Sequence, residues 1–581
     1  MRALATDPTD PIYERLLHLA TTRRDGTPDD PPASGTWDRW VEAGATGNWV
    51  RQNTLLDYLD EYGDGTFTRD RDREGYDKTF DVRLAYGGRG RAFKRAVLAR
   101  LAELIQPPCD LGNLPTATGE AKRATLEAMA RGAPIIANGQ LWNPDTGTWA
   151  AVDLIVRSDV AAEKIPSWIA DEPRADLYIP APNLGGAYHY RVMSITWSRT
   201  PDFDKRRLPR RRLADAVRNC IANDALGRLQ GFVPPFSYVL GVDWEDAGVA
   251  PIEHKGAGHR KLAAGAATWI RLLRAEGWAW RVLPAPTRPE LRPNLHDHTT
   301  TPWGHAVQEI AEQLGDLTLL PFVNVKHRDL AHTAGITRWD DPRLSAAVLG
   351  LGAEARRAEI VDAVLAANRS EAGVLPAIIT KTDSAWRRAA PVEAFAGIET
   401  VALPDGSRIA CLISWAIRSK VTCGQLSTRW LAATEATKAA EADLIARWRA
   451  ELTAAAADAG VDLRHVVLYR WGTAGQVPLS DLTWYDLLTQ LVRHEPVTVK
   501  GARDFKLRSV ADALQRLNRI SCTWPDHPAG GQEAMAAAIN ASNAADGRPL
   551  ETLEPIKQIA AFGVAHCQAT AAILDYLRRN H

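Results

Sequence analysis

The sequence predicts an α/β protein: two α/β domains, each built on a mixed central sheet, joined by a helical hairpin region. Three observations lead there. A chain of 581 residues exceeds what one hydrophobic core usually organises, so two or three domains are expected. Between residues 134 and 198 the apolar period changes from helical to extended and then returns to helical. A second run of strand-like segments starts near 392 and alternates with helices to the end of the chain.

Taken in order, 1–36 form an N-terminal helix and a Pro-, Gly- and charge-rich loop. Residues 91–105 have apolar positions at helical spacing and end before Pro107, and 119–131 form a second helix. Two extended runs, 134–143 and 148–159, flank the turn Pro144-Asp145-Thr146-Gly147, which makes a β-hairpin. Residues 188–198 add a neighbouring strand, 213–231 a long helix and 236–244 another strand. Helices are expected over 262–283 and 303–315, and two short helices around a tight turn over 317–344. The predicted boundaries are therefore a first α/β domain at 37–305, a hairpin module at 306–345, a mostly helical connector at 346–390 and a second α/β domain at 391–581.

Composition narrows the function classes. Lys plus Arg and Asp plus Glu both number 70, so no global field draws the chain to nucleic acid or to an anionic membrane, and any such surface must be local. The six cysteines contain no CxxC pair, which reads as reduced thiols in a cytoplasmic protein. No apolar run approaches the ~18 residues of a membrane span, and the first residues lack a signal-peptide pattern. Twenty tryptophans against four methionines is unusual but carries no function alone.

The stretch 119–159 followed by 190–198 resembles the RecB-like nucleases of the PD-(D/E)xK class. In that family an Asp at the end of the hairpin's second strand and an acid-x-Lys pair on the next strand hold a divalent metal; the Lys helps to activate water. The resemblance puts Asp153 in the first position, but Ser194-Ile195-Thr196 in the acid-x-Lys positions. Phe93-Lys94 stands where the family has Phe-Glu, and Arg218 and Ala222 where it has Gln and Tyr.

In the second half, 392–401 resembles the first strand of an RNase H-like exonuclease domain, with Gly397-Ile398-Glu399 in place of Asp-x-Glu. Arg470 and Gly475 replace a His and a Glu, and His566 replaces an Asp of the terminal helix, while 487–514 matches the family well. The resemblance thus implies a nuclease lineage in which most metal-binding acids are substituted. Asp153 and Glu399 are the residual catalytic positions. No cofactor is expected, with Mg²⁺ or Mn²⁺ implied only if a site is active.

Each remaining feature has two readings. Asp153 and Glu399 could be metal ligands or strand-end caps. Asp486 fits a helix N-terminal acid better than a catalytic one. Lys205, Arg206, Arg207, Arg210, Arg211 and Arg212 place six cations in eight positions, either a solvated loop or a phosphate-binding run. His296, His298 and His305 only loosely resemble metal spacing.

The segment 319–336 resembles a helix-hairpin-helix, whose hairpin backbone grips a DNA phosphate and needs positive φ; only Asn324 looks suited to that conformation, with Lys326 and Arg328 as possible phosphate contacts. Three functions stay open. The chain could be a nucleic-acid-binding or scaffolding protein on retired nuclease folds. It could be a working nuclease with migrated carboxylates, drawn from Asp159, Asp202 and Asp204 near the first site and Glu393 and Asp486 near the second. Or it could be a protein–protein module. DNA, RNA or a protein partner all fit, and a membrane does not.

Overall fold

A computed structural model describes residues 10–164, 177–199, 210–254, 256, 258–352, 354–472 and 482–581. The chain divides into two compact units. The first comprises residues up to Thr68, Gly88–Pro293 and the turn Pro404–Gly406; the second comprises Arg69–Gly87, Asn294–Leu403 and Ser407–His581. Both are α/β units built on mixed sheets, as the sequence predicts.

The first unit holds a seven-stranded sheet of β1 (Val41–Glu42), β2 (Cys109–Asp110), β3 (Ile135–Asn143), β4 (Thr148–Arg157), β5 (Tyr190–Ile195), β6 (Phe236–Leu240) and β7 (Ala250–Glu253). Strands β2 to β7 lie in sequence order, and β1 pairs with β4. The β3–β4 hairpin closes through Gly147, whose φ of 59° suits the absence of a Cβ. Strand β5 runs antiparallel to β4 and parallel to β6, and a parallel pair needs a crossover. Helix α4 (Arg210–Gln230) supplies it.

Near-continuous burial along β3 and β4 follows from helices on both faces. Helices α1 (Pro11–Thr21), α3 (Gly119–Ala130) and α4 bury Leu16, Leu126, Val217 and Ile221 against Ile136, Ile155 and Val192. On the other face Val97 and Leu101 of α2 (Val82–Leu104) pack on Leu154, Val156, Met193 and Leu240. The β3–β4 ladder pairs Ala137 with Leu154 and Gly139 with Val152 but skips Asn138 opposite Asp153. Asn138 takes a φ of 59°, an irregularity of the kind that re-aims side chains.

In the second unit a five-stranded sheet has the order β11 (Ser427–Ala432), β10 (Arg408–Ser419), β9 (Val392–Ala402), β12 (Val466–Arg470), β13 (Thr483–Asp486). The first three strands form an antiparallel meander, and β12 and β13 add in parallel beyond β9. Alternation along β9 sends Val392, Ala394 and Ala396 toward helix α9 (Lys438–Asp458), where Leu444, Trp448 and Leu452 meet them. The opposite face, with Glu393, Phe395, Gly397 and Glu399, receives the terminal helix α12 (Glu554–Asn580), which follows α10 (Leu507–Arg516) and α11 (Gly531–Ala544). Gly563 permits that approach, because a Cβ there would fall 2.3 Å from Ser414 Oγ.

Three sequence expectations are corrected. The segment 345–390 is mostly irregular: helix α8 (Ala355–Arg369) is 15 residues long, and Val374–Leu375 instead forms a strand, β8, paired with β14 (Thr498–Val499). The hairpin motif consists of α6 (Gly304–Leu314), a short turn at Leu317–Leu319 and α7 (Val325–Thr333). Its left-handed residue is Phe322, with φ 64°, whereas Asn324 is extended and caps α7 reciprocally with His327. Finally, α2 starts at Val82 rather than 91, running through Gly87, Gly88 and Gly90. Among the described residues no helix is long and apolar enough to cross a membrane.

Candidate metal centres and nucleic-acid contacts

Asp153 leaves β4 where the ladder is interrupted, and there meets α2. Lys94 Nζ lies 2.6 Å from its Oδ1, and the Ile195 amide of β5 donates to its Oδ2 at 2.9 Å. Positions 94, 153 and 195 therefore converge on one point. The charge at that point is an ion pair rather than a carboxylate cluster. Mg²⁺ needs near-octahedral oxygen ligands at about 2.1 Å, and a protonated Lys cannot be one of them. These residues do not fit a divalent cation without displacing Lys94.

The other substituted positions are occupied in ways that leave Asp153 without acidic help. Ser194 is buried and donates to Asn219 Oδ1 of α4 at 2.5 Å. Thr196 lies beyond β5, with its hydroxyl 3.2 Å from Ser198 Oγ. Arg218 sits 3.4 Å from Asp215, and Ala222 is packed in the core. Among the carboxylates considered as migrants, Asp159 pairs with Arg157 at 2.6 Å, while Asp202 and Asp204 lie outside the described residues.

The second candidate centre forms between β9 and α12. A Cβ built at Gly397 would sit 3.8 Å from His566 Nδ1, 3.7 Å from Cys567 Sγ and 3.5 Å from the Gly563 carbonyl. Two positions far apart in sequence, both expected to carry metal-binding acids, thus lie side by side with neither acid present. Glu399 follows on the same face of β9. Burial pushes its carboxyl up to about 8 and pushes the His566 imidazole down to about 4. At neutral pH the first is protonated and the second unprotonated, so neither carries charge. The Cys567 thiol, pushed up to about 12 by burial, adds none. His566 Nδ1 is buried without a hydrogen-bond partner among the described residues.

The alternative acids of this unit are engaged elsewhere. Glu393 is buried and accepts from Arg578 at 2.7 Å, Arg418 at 2.8 Å and the Tyr469 hydroxyl at 3.2 Å. Burial alone would raise its carboxyl, but the Arg578 and Arg418 guanidiniums outweigh that and hold it below the usual range. Asp486 caps the turn Leu487–Val492, accepting from the amides of Leu488, Thr489 and Gly472, as its helix-capping reading required. Arg470 stacks over Trp484 with its guanidinium 3.7 Å from Asp486, and Gly475 lies outside the described residues. Among the described residues no three His, Cys, Asp or Glu side chains, including those around His296, His298 and His305, are grouped to hold a metal ion.

The expected phosphate contacts divide. Lys205, Arg206 and Arg207 lie outside the described residues, and Arg210 and Arg211 open helix α4. Arg212 is a correction: it is buried, 3.5 Å from Asp215 one turn on. Arg328 is a second correction, buried 3.4 Å from the fully buried Asp316, because its face of α7 points inward. Lys326 remains exposed.

Beside the hairpin residues Pro321, Phe322 and Val323 opens a cleft of about 1030 Å³. Its basic side chains Arg503, Lys506 and Arg516 face the acids Asp297, Asp504, Asp512 and Glu533, so the cleft has no cationic excess. Sequence reasoning missed Lys94 as a partner of Asp153. The available signal was a charge reversal at a position where an acid was expected next to another acid. Comparison of the chain with family models, with curated proteins and with solved structures found no match.

Proposed function

We propose that this chain is a nuclease-lineage protein that binds or scaffolds nucleic acid without cutting it, its two metal centres having been replaced by an internal ion pair and by a buried site in which Glu399 and His566 are both uncharged. One observation carries the reading. Positions singled out by family resemblance, far apart in sequence, meet in pairs: the substituted Lys94 with the retained Asp153, and the substituted Gly397 with the substituted His566. Chance resemblance would scatter such positions over the fold. At each meeting point the charge needed to attract a divalent cation is cancelled or absent.

The binding half of the reading is supported by the run of cations entering α4, of which Arg210 and Arg211 open the helix. The purified protein is expected to show no Mg²⁺- or Mn²⁺-dependent cleavage of single- or double-stranded DNA or RNA. It should bind labelled oligonucleotides with an affinity that falls steeply with salt. Cleavage abolished by Asp153→Ala or Glu399→Ala would overturn the first half. Absence of oligonucleotide binding at low salt would overturn the second and favour a protein partner.

A further inference from the structure

Helix α5 (His259–Glu276) of the first unit ends in a tight turn, Gly277–Ala279, that carries Trp278 with 76% of its surface exposed. A tryptophan so exposed is unusual, since the indole is among the largest apolar surfaces a chain can bury. Its support is rigid. Gly277 is pressed against Tyr62, where a Cβ would fall 2.5 Å from the ring. Trp280 stacks on Trp269 at 5.6 Å and Trp269 on Trp49 at 6.1 Å, while the Arg288 guanidinium covers Trp280 at 4.8 Å. The Tyr58 hydroxyl donates to the Trp280 carbonyl, and Arg281 and Thr287 bond across the loop that follows.

The surroundings indicate what such a ring is for. Trp278 is the one large exposed apolar side chain of this region, flanked by exposed Ala275, Glu276 and Ala279, so there is no contiguous patch for an apolar peptide. Arg274 and Arg281, one turn before and three residues after it, are exposed and form no ion pair among the described residues; the Arg274 guanidinium donates to the Trp40 carbonyl at 2.6 Å, which leaves Arg281 as the available cation. A flat ring held on a stiff turn, with the exposed Arg281 three residues further on, matches a ligand with a planar aromatic group and an adjoining negative charge. Stacking on a preorganised ring also loses little side-chain entropy.

We infer that Trp278 is a stacking platform for an unpaired base of single-stranded nucleic acid, with Arg281 meeting an adjoining phosphate. The inference rests on the nucleic-acid-binding reading above and names the form of nucleic acid and the contact.

Fluorescence anisotropy with the full chain tests it, using a labelled homothymidine strand, an abasic strand of equal length and a duplex. Base–aromatic stacking predicts that Trp278→Ala weakens single-strand binding about ten- to hundredfold while Trp278→Phe retains most of it. Duplex binding should not change. The abasic strand should bind the unaltered protein as weakly as the homothymidine strand binds Trp278→Ala, a comparison that does not depend on how the variant folds.

Equal single-strand affinity of the parent and Trp278→Ala overturns this inference and leaves the binding reading standing, as does equal binding of abasic and homothymidine strands. No binding of any strand by the parent overturns the binding reading itself. Loss of affinity in Trp278→Ala for duplex and single strand alike would mean a general structural effect and would also overturn the stacking contact.

Discussion

Removing the ammonium from the first centre tests the ion-pair argument most directly. In Lys94→Met the side chain keeps its length and packing along α2, but among the described residues Asp153 retains only the Ile195 amide as a hydrogen-bond donor. The two side chains are 29% and 25% exposed. The pair is therefore neither a surface pair, worth about 0.2–1 kcal/mol, nor a fully buried one, whose breaking costs about 3–5 kcal/mol. A loss of about 1–2 kcal/mol follows, or roughly 3–6 °C in the melting transition of a unit of this size.

Asp153→Asn alone should cost a similar amount, since it strands the ammonium. The double variant Lys94→Met/Asp153→Asn should recover part of the loss, because the Asn carbonyl still accepts from Ile195. Calorimetric melting of the four proteins gives the coupling energy, expected near 1 kcal/mol. Additivity within about 0.3 kcal/mol would refute the reasoning, as the two groups would then not sense each other. A Mg²⁺-dependent rise in melting temperature of the unaltered protein, lost in Asp153→Asn, would refute it more broadly.

Other outcomes follow from the same structure. Restoring the second centre with Gly397→Asp and His566→Asp beside Glu399 should create Mg²⁺ binding detectable by titration calorimetry, since the Cβ at 397 meets only ordinary contacts of 3.5–3.8 Å; a folded double variant with no heat of binding would count against the assignment. Phe322→Gly should be about 1 kcal/mol more stable than Phe322→Ala in thermal melts, because only glycine tolerates φ 64° freely, and equal stabilities would exclude strain at that hairpin.

Burial pushes His254 down to about 3, so its native form stays neutral while the unfolded form gains a proton below about 6.5. Stability from this group is present at neutral pH and is lost as pH falls from about 6.5, at up to about 1.4 kcal/mol per pH unit; His254→Asn should lessen the acid sensitivity of urea unfolding by that slope. Glu399 has the opposite sign. Its folded carboxyl is raised to about 8, so stability is full below about 4.5 and is lost as pH rises toward 8; Glu399→Gln should flatten unfolding free energy over that window, and an unchanged profile would show the carboxyl to be solvated.

The elements most legible in the sequence were those whose signals are local. The Pro144–Gly147 turn, the strands on either side of it and the crossover helix after β5 are all encoded by period and turn chemistry within a few residues. Where tertiary packing decides, the reading failed for physical reasons. Phe322, not Asn324, is left-handed because Asn324 is needed as the cap of α7. The three glycines near the start of α2 argue against a helix by propensity, yet it extends to Val82.

Charged residues were the hardest to interpret. Arg328 and Lys326 look alike in sequence, and only the inward face of α7 separates a core ion pair from a solvent-facing cation. Lys94 could be read as a missing acid, but its bond to Asp153 spans 59 residues and has no local signature.

The Glu393 network has a consequence for how the protein is made. Its guanidinium partners lie 25 and 185 residues further along the chain. At a synthesis rate of about 5–20 residues per second, the gap between Glu393 and Arg578 lasts on the order of ten to forty seconds. Through that interval β9 cannot bury its carboxylate with both cations in place, so this face of the sheet stays wet until α12 leaves the ribosome. The second unit thus closes only once α12 has been made, and the apolar flank that α12 covers stays open until then.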